Sequence, residues 1–193
     1  MTPEPADATV LRADARRNRA RVLAAAQEAF AAEGLSVPLD EIARRAGVGA
    51  GTVYRHFPTK EALFEAIVLT RLHAMSEAVR GHADAPDPGA AFFQTLTELV
   101  EQNSMKKDLV DALARTGRDL TGPLADARME IRDALGLLLR RAQAAGAVRP
   151  DVDGHDLATL LSAIFLAAQQ QRDGALPHRA LAVIRDGLRA PRT

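Results

Sequence analysis

The sequence predicts an all-α protein, and three observations carry that prediction. Apolar residues recur at helical spacing in nearly every segment between glycine and proline breaks. No segment alternates apolar and polar residues with period two over a useful length. The composition favours helix, because Ala, Leu, Arg and Glu abound while aromatic residues make up 4% of the 193-residue chain.

Residues 1–11 carry Pro3, Pro5 and small residues, and are expected to form a disordered tail. From Arg12 to Glu33, Val22, Leu23, Ala26, Ala29 and Phe30 recur at helical spacing, and Gly34 stops the helix. Pro38 opens a short helix whose core face is Leu39, Ile42, Ala43 and Ala46, and Gly47 ends it. Gly49 begins a third helix, reaching about His56. Thr59 is a natural N-cap for a fourth helix, with Ala62, Leu63, Ile67 and Leu72 behind it, extending to about Arg80. The stretch GHADAPDPG (81–89) reads as a linker. Beyond it, helical segments are expected at about 88–103, 106–116, 121–145, 154–172 and 178–190, giving about nine helices in all. The expected organisation is a helix-turn-helix head over 12–60 and a helical body over 61–193, joined by the fourth helix at about 60–80.

The formal net charge of zero conceals an asymmetry. Between Arg12 and Lys60 there are nine basic and five acidic residues, a net of +4, so the remaining sixteen basic and twenty acidic residues carry −4. A basic head on an acidic body is compatible with a polyanionic partner for the head. With no cysteine, a disulfide framework, a thiolate metal site and a cysteine nucleophile are excluded. A hydrophobic content of 47% excludes disorder of the whole chain. No apolar run is long enough to span a bilayer, and residues 1–15 lack the pattern of a signal peptide, so a cytoplasmic protein without membrane association is expected.

Residues 39–60, LDEIARRAGVGAGTVYRHFPTK, place two short helices around a Gly-Val-Gly turn. That is the plan of a helix-turn-helix, whose second helix enters the major groove of DNA. Ile42, Ala43 and Val53 pin the two helices together, Gly47 supplies the left-handed cap of the turn, and Val48 points back inside. The outer face of the second helix then carries Ala50, Gly51, Thr52, Tyr54, Arg55 and His56.

The stretch from about 16 to 66 resembles the DNA-binding domain of the TetR family of bacterial transcription regulators, most specifically in the run GTVYRHFPTKEAL (51–63). The resemblance implies phosphate contacts by Tyr54, His56 and Lys60, the last aided by the positive helix N-terminus. It places Gly51 and Thr52 against base edges and backbone, and leaves Ala50 and Arg55 as base readers, through a thymine methyl and through guanine O6/N7 respectively. Phe57 is expected inside. Position 49 departs from the pattern, with Gly where a side-chain N-cap is frequent. Arg44, Arg45, Arg16 and Arg17 are further candidates for DNA contact, with a solvated basic face as the alternative.

For the body, the segment 156–168 (DLATLLSAIFLAA) is apolar on nearly every face, which predicts burial on two sides. The last helix offers Leu181, Ile184 and Leu188 as a stripe. The resemblance implies that the final two helices pair with their mates in a homodimer, with Leu157, Leu161, Ile164, Leu181, Ile184 and Leu188 at the interface, reading a near-palindromic double-stranded DNA operator. Phe92, Phe93, Leu96, Met105, Leu109, Met129 and Phe165 are candidates for the wall of a pocket for a small apolar effector, although each reads first as plain core, and Gln169 is a candidate polar contact with a solvated helix end as the alternative. The expected function is a repressor released from its operator by that effector.

Enzyme readings find no support. The five histidines form no HExxH or similar metal spacing, and no GxSxG, P-loop or dinucleotide fingerprint is present. No cofactor or metal is expected. The rival reading is a helical small-molecule carrier or protein-interaction bundle with a degenerate DNA-binding head.

Overall fold

The computed structural model describes residues 5–102, 122–170 and 175–191. Among these residues there are eight helices and no β-strand: α1 (Pro5–Glu33), α2 (Leu39–Ala46), α3 (Ala50–His56), α4 (Lys60–Gly81), α5 (Pro88–Gln102), α6 (Pro123–Ala144), α7 (Gly154–Gln170) and α8 (Ala175–Leu188). The expected helix at 106–116 lies outside the described residues, as do Met105, Leu109 and the side chain of Gln169.

One boundary differs sharply from the sequence expectation. The helix that was expected at Arg12 starts at Pro5, so most of the expected tail is α1. Proline is accommodated in a first turn, where its missing N–H has no intrahelical partner to lose. Ala6, Ala8, Leu11 and Ala13 behind it are good or tolerable helix formers, and residue 5 therefore starts a helix instead of breaking one.

The other boundaries follow from local chemistry. Gly47 sits at φ +62°; its N–H reaches the Arg44 carbonyl at 3.2 Å while the Val48 N–H reaches the Ala43 carbonyl at 3.1 Å. These two bonds are a Schellman cap, which satisfies the last carbonyls of α2 and reverses the chain within two residues. The same pair closes α6, from Gly146 to Gln143 at 2.9 Å and from Ala147 to Ala142 at 3.0 Å. The Thr59 hydroxyl accepts from the Ala62 N–H at 3.2 Å, capping α4 as expected. Before α7, Asp153 accepts from the His155 and Asp156 N–H groups at 2.7 and 2.9 Å, and Asp156 returns the favour to the Asp153 N–H at 3.1 Å. This reciprocal box fixes where α7 begins.

The apolar side chains form two clusters. The head core joins Val22, Ala26 and Phe30 of α1, Ile42 of α2, Val53 of α3, Phe57, and Leu63, Phe64, Ile67 and Val68 of α4, with Leu124 of α6 set against them. Phe30 and Phe64 meet edge to face at 5.0 Å, a favoured aromatic geometry. The body core begins farther along α4 with Met75 and Val79, and continues through α5 to α8. Helix α4 thus contributes to both cores, and it packs most extensively against α6.

The assignment of faces on α7 and α8 corrects the sequence reading. Leu157, Leu161, Ile164, Leu181 and Leu188 are buried in the chain's own body core, and Ile184 packs beside them half-buried. Those five buried residues are therefore not surface offered to a second subunit, whereas Ile184 stays partly exposed. Among the described side chains, the large apolar ones that these helices leave outside are Leu166, 56% exposed, and Val183, 74% exposed. A helix that is apolar on nearly every face gives only a weak periodic signal to say which side is which.

The pocket candidates divide as well. Phe92 and Leu96 are fully buried core, and Phe93 lies beneath the guanidinium groups of Arg189 and Arg185, at 4.9 and 5.7 Å from its ring centre. Phe165 packs half-buried against the body core. Met129 is 54% exposed, which removes it from any interior wall within one protomer. It stands on α6 turned away from the buried row Leu124, Ala127, Leu135 and Leu138.

Candidate nucleic-acid interface

Helix α3 is held by a single inward residue within its span. Val53 is fully buried, and Phe57, just past the helix end, is 2% exposed with its N–H bonded to the Val53 carbonyl at 2.7 Å. Everything else on the helix is left at or near the surface: Ala50, Gly51, Tyr54 and Arg55 are exposed, and Thr52 and His56 half-exposed. Gly49 caps the helix in an extended conformation with no side chain to help, so the sequence departure at this position costs the cap but not the helix.

Two features of this face suggest an external partner. A Cβ added at Gly51 would meet nothing within 4 Å, so nothing in the chain itself requires glycine there. Glycine on an open helix face lets another backbone or groove approach closely. Tyr54 is 45% exposed, a large area for an aromatic side chain, and its hydroxyl and the Arg55 guanidinium have no intramolecular partner among the described residues.

The neighbouring cations are arranged differently from one another. Arg44 donates twice to Glu41 at 2.7 Å, and Arg45 bridges Glu41 at 2.7 Å and Glu33 of α1 at 2.5 Å. Hydrogen bonds from Arg44 and Arg45 hold the Glu41 carboxyl down from its ordinary 4.5 to about 2, so both pairs stay charged at neutral pH. Arg45 thereby ties α2 to α1, which weakens its candidacy as a DNA contact, whereas Arg44 pairs within α2 and stays exposed. The Glu41 pairs follow from i,i+3 and i,i+4 spacing, whereas the Glu33 partner comes from another helix and leaves no local signal.

Lys60 stands at the first turn of α4 with its ammonium 5.8 Å from the Phe30 ring centre. Partial burial lowers its pKa from the ordinary value, and the adjacent Glu61 opposes that. Arg16 and Arg17 are exposed on α1, Arg17 being paired with Asp14. Arg19 lies over the Phe57 ring at 5.4 Å and so clamps the end of α3 to α1.

Comparisons with known proteins agree with this geometry. Residues 22–67 match the family described as bacterial regulatory proteins, tetR family, and residues 87–190 match the SbtR-like transcriptional regulator C-terminal domain. The second match alone covers more than half of the chain. The chain belongs to the TetR family of transcriptional regulators. A TetR transcription regulatory protein from Mycobacterium vanbaalenii is 47% identical, with a TM-score of 0.74 over 93% of this chain and 99% of its own. A TetR transcriptional regulator from Streptomyces coelicolor is 35% identical, with a TM-score of 0.73 over 90% of this chain and 99% of its own. Among curated relatives, the regulator SrpR of Pseudomonas putida is 44% identical over 64 residues, 33% of this chain. UidR of Escherichia coli K12 is 27% identical over 151 residues, 74% of this chain and 75% of its own. The chain spans 30% and 48% of the length of the first two curated relatives it matches, both from Pseudomonas putida, and those matches extend over 64 residues.

The first family match runs from within α1 to within α4, and the second spans α5 to α8. No helix among the described residues is long and apolar enough to cross a membrane. Among the described residues, no group of three or more His, Asp or Glu is placed to hold a metal ion.

Proposed function

We propose that this TetR-family chain is a cytoplasmic, non-catalytic regulator that binds a near-palindromic operator as a homodimer and is released by a small effector lodged in the C-terminal domain. The observation that carries the DNA part is the outer face of α3: an open glycine, an exposed Tyr54 and an unpaired Arg55 around one buried anchor, Val53. In this reading Tyr54, His56 and Lys60 contact phosphate, Gly51 and Thr52 lie against the groove, and Arg55 and Ala50 read base edges. Leu166 and Val183 supply the apolar surface that a second subunit would cover.

Binding to the DNA upstream of its own gene, compared with an unrelated duplex, tests the proposal. Affinity should fall steeply with salt on both, because phosphate neutralisation releases counterions. Tyr54→Phe should weaken both by about 0.5–1.5 kcal/mol, the worth of one hydroxyl donor. Arg55→Ala should instead cost about 1–3 kcal/mol on the specific site and little elsewhere. Salt-independent binding, with Tyr54→Phe indistinguishable from wild type, would favour the carrier reading.

Gly51→Ala separates stability from recognition. The added methyl meets no atom of the chain, so the helix should gain about 0.5–1 kcal/mol from the better helix former. Operator affinity should nevertheless drop, because the methyl occupies the space between α3 and the groove. A thermal melt and a binding isotherm on the same preparation check this. Unchanged or tighter operator binding would move the contact surface away from this face.

A further inference from the structure

The two cores meet on α4 at a residue that belongs to neither. Val68 is the last buried α4 residue of the head core, with Leu72 packed half-buried against it, and Met75 opens the body core. Between them, three residues after Val68 and four before Met75, stands Arg71, on the inward-facing stripe of the helix. Its side chain is half-buried, and its Nε is shut off from solvent with no hydrogen-bond partner. The other arginines of this region are matched: Arg80 bridges Glu77 and Glu130, each at 3.0 Å, and Arg45 bridges Glu33 and Glu41. Arg71 has no carboxylate among the described residues. Burial lowers its pKa from the ordinary value, the direction expected of a cation that has lost water without gaining a counter-charge.

A guanidinium does not shed its proton to escape such a site, and its planar fork fits a carboxylate or phosphate through paired N–H donors. Five residues on, the Ser76 hydroxyl is also fully buried without a partner, so α4 carries two unmet polar groups near where the cores join. We infer that Arg71 binds the anionic head group of an amphiphile, carboxylate or phosphate, whose apolar body lies in the C-terminal domain. This inference builds on the effector reading above and gives the effector its chemical class. It also gives the ligand leverage, since charge neutralised at Arg71 acts on a helix shared by both cores.

The test uses the full-length protein with three probes of one chain length, decanoate, decyl phosphate and decanol. One or both anions should bind at least about ten-fold tighter than decanol, as expected for a charge-assisted hydrogen bond. Which anion wins identifies the head group. Arg71→Gln should abolish that preference and leave decanol binding unchanged. Without ligand, Arg71→Met should melt higher than wild type, because it removes an unpaired charge from a partly buried place. Equal binding of all three probes by wild type overturns the inference. So does a preference that survives Arg71→Gln, or a ligand-free Arg71→Met that melts lower. If the anions bind through Arg71 yet operator affinity does not change, the anion site stands and the release mechanism falls.

Discussion

Val183→Asp is expected to leave each protomer folded and to abolish tight operator binding. Val183 is 74% exposed on α8, so an aspartate there keeps its water within one protomer. Placed in an apolar contact between subunits, the same carboxylate is stripped of water with no partner. A monomer holds one half-site, and its affinity should fall toward the sequence-independent level, a loss of about 10³-fold or more. Leu161→Asp is the contrasting variant. Leu161 is buried in the chain's own core, so its replacement leaves a cavity and an unpaired charge together, each costing about 3–5 kcal/mol. Against a total stability of about 5–15 kcal/mol, that should unfold the C-terminal domain at moderate temperature. Sedimentation and thermal melts distinguish the two: a cooperative monomer for Val183→Asp, and loss of the transition for Leu161→Asp. A Val183→Asp protein that sediments as a dimer would place the two-fold contact on another face.

That contrast also shows where sequence reading stops. The head was legible because its structure is set by short-range chemistry. Gly47 and Val48 close a Schellman cap on α2, Thr59 caps α4, and Leu39, Ile42 and Val53 are the large apolar residues that face inward from two short helices. Each of those signals lies within a few residues of what it determines. The α7 faces were hard to read, because Asp156, Thr159 and Ser162 mark only a narrow exposed strip on DLATLLSAIFLAA and packing with α6 and α8 decides which side turns in. Leu161 and Leu166 look alike in sequence and have opposite surroundings. Arg45 was not legible as a tie between helices, because its second partner, Glu33, is supplied by α1. Pro5 was taken for a breaker, although the first turn of a helix is where proline fits. Arg71 passed unnoticed for a related reason: a charged residue at helical spacing from Val68 and Met75 becomes conspicuous only once both neighbours prove buried.

Phe57→Ala should remove DNA binding by a different route, through the head's stability. The ring is 2% exposed and shares the head core with Ile42, Val53 and Leu63, beneath the Arg19 guanidinium at 5.4 Å. Truncating a buried phenylalanine costs about 3–5 kcal/mol in lost transfer energy and cavity. The head is built of three helices and the start of a fourth, and small cores have little stability to spare. Its loss should therefore fall on α1 to α3, while the body core, which holds no atom of Phe57, keeps its packing. Hydrogen exchange should show faster amides in α2 and α3 with α5, α7 and α8 still protected, and operator binding should vanish at every salt concentration. Tyr54→Phe, 45% exposed at the wild-type tyrosine, should weaken binding without moving those exchange rates. The pair thus separates a residue that holds the recognition helix in place from one that touches DNA. Intact operator affinity with an unchanged melt for Phe57→Ala would mean that α3 is held by something other than this ring, and the Arg19–Phe57 clamp would lose its role.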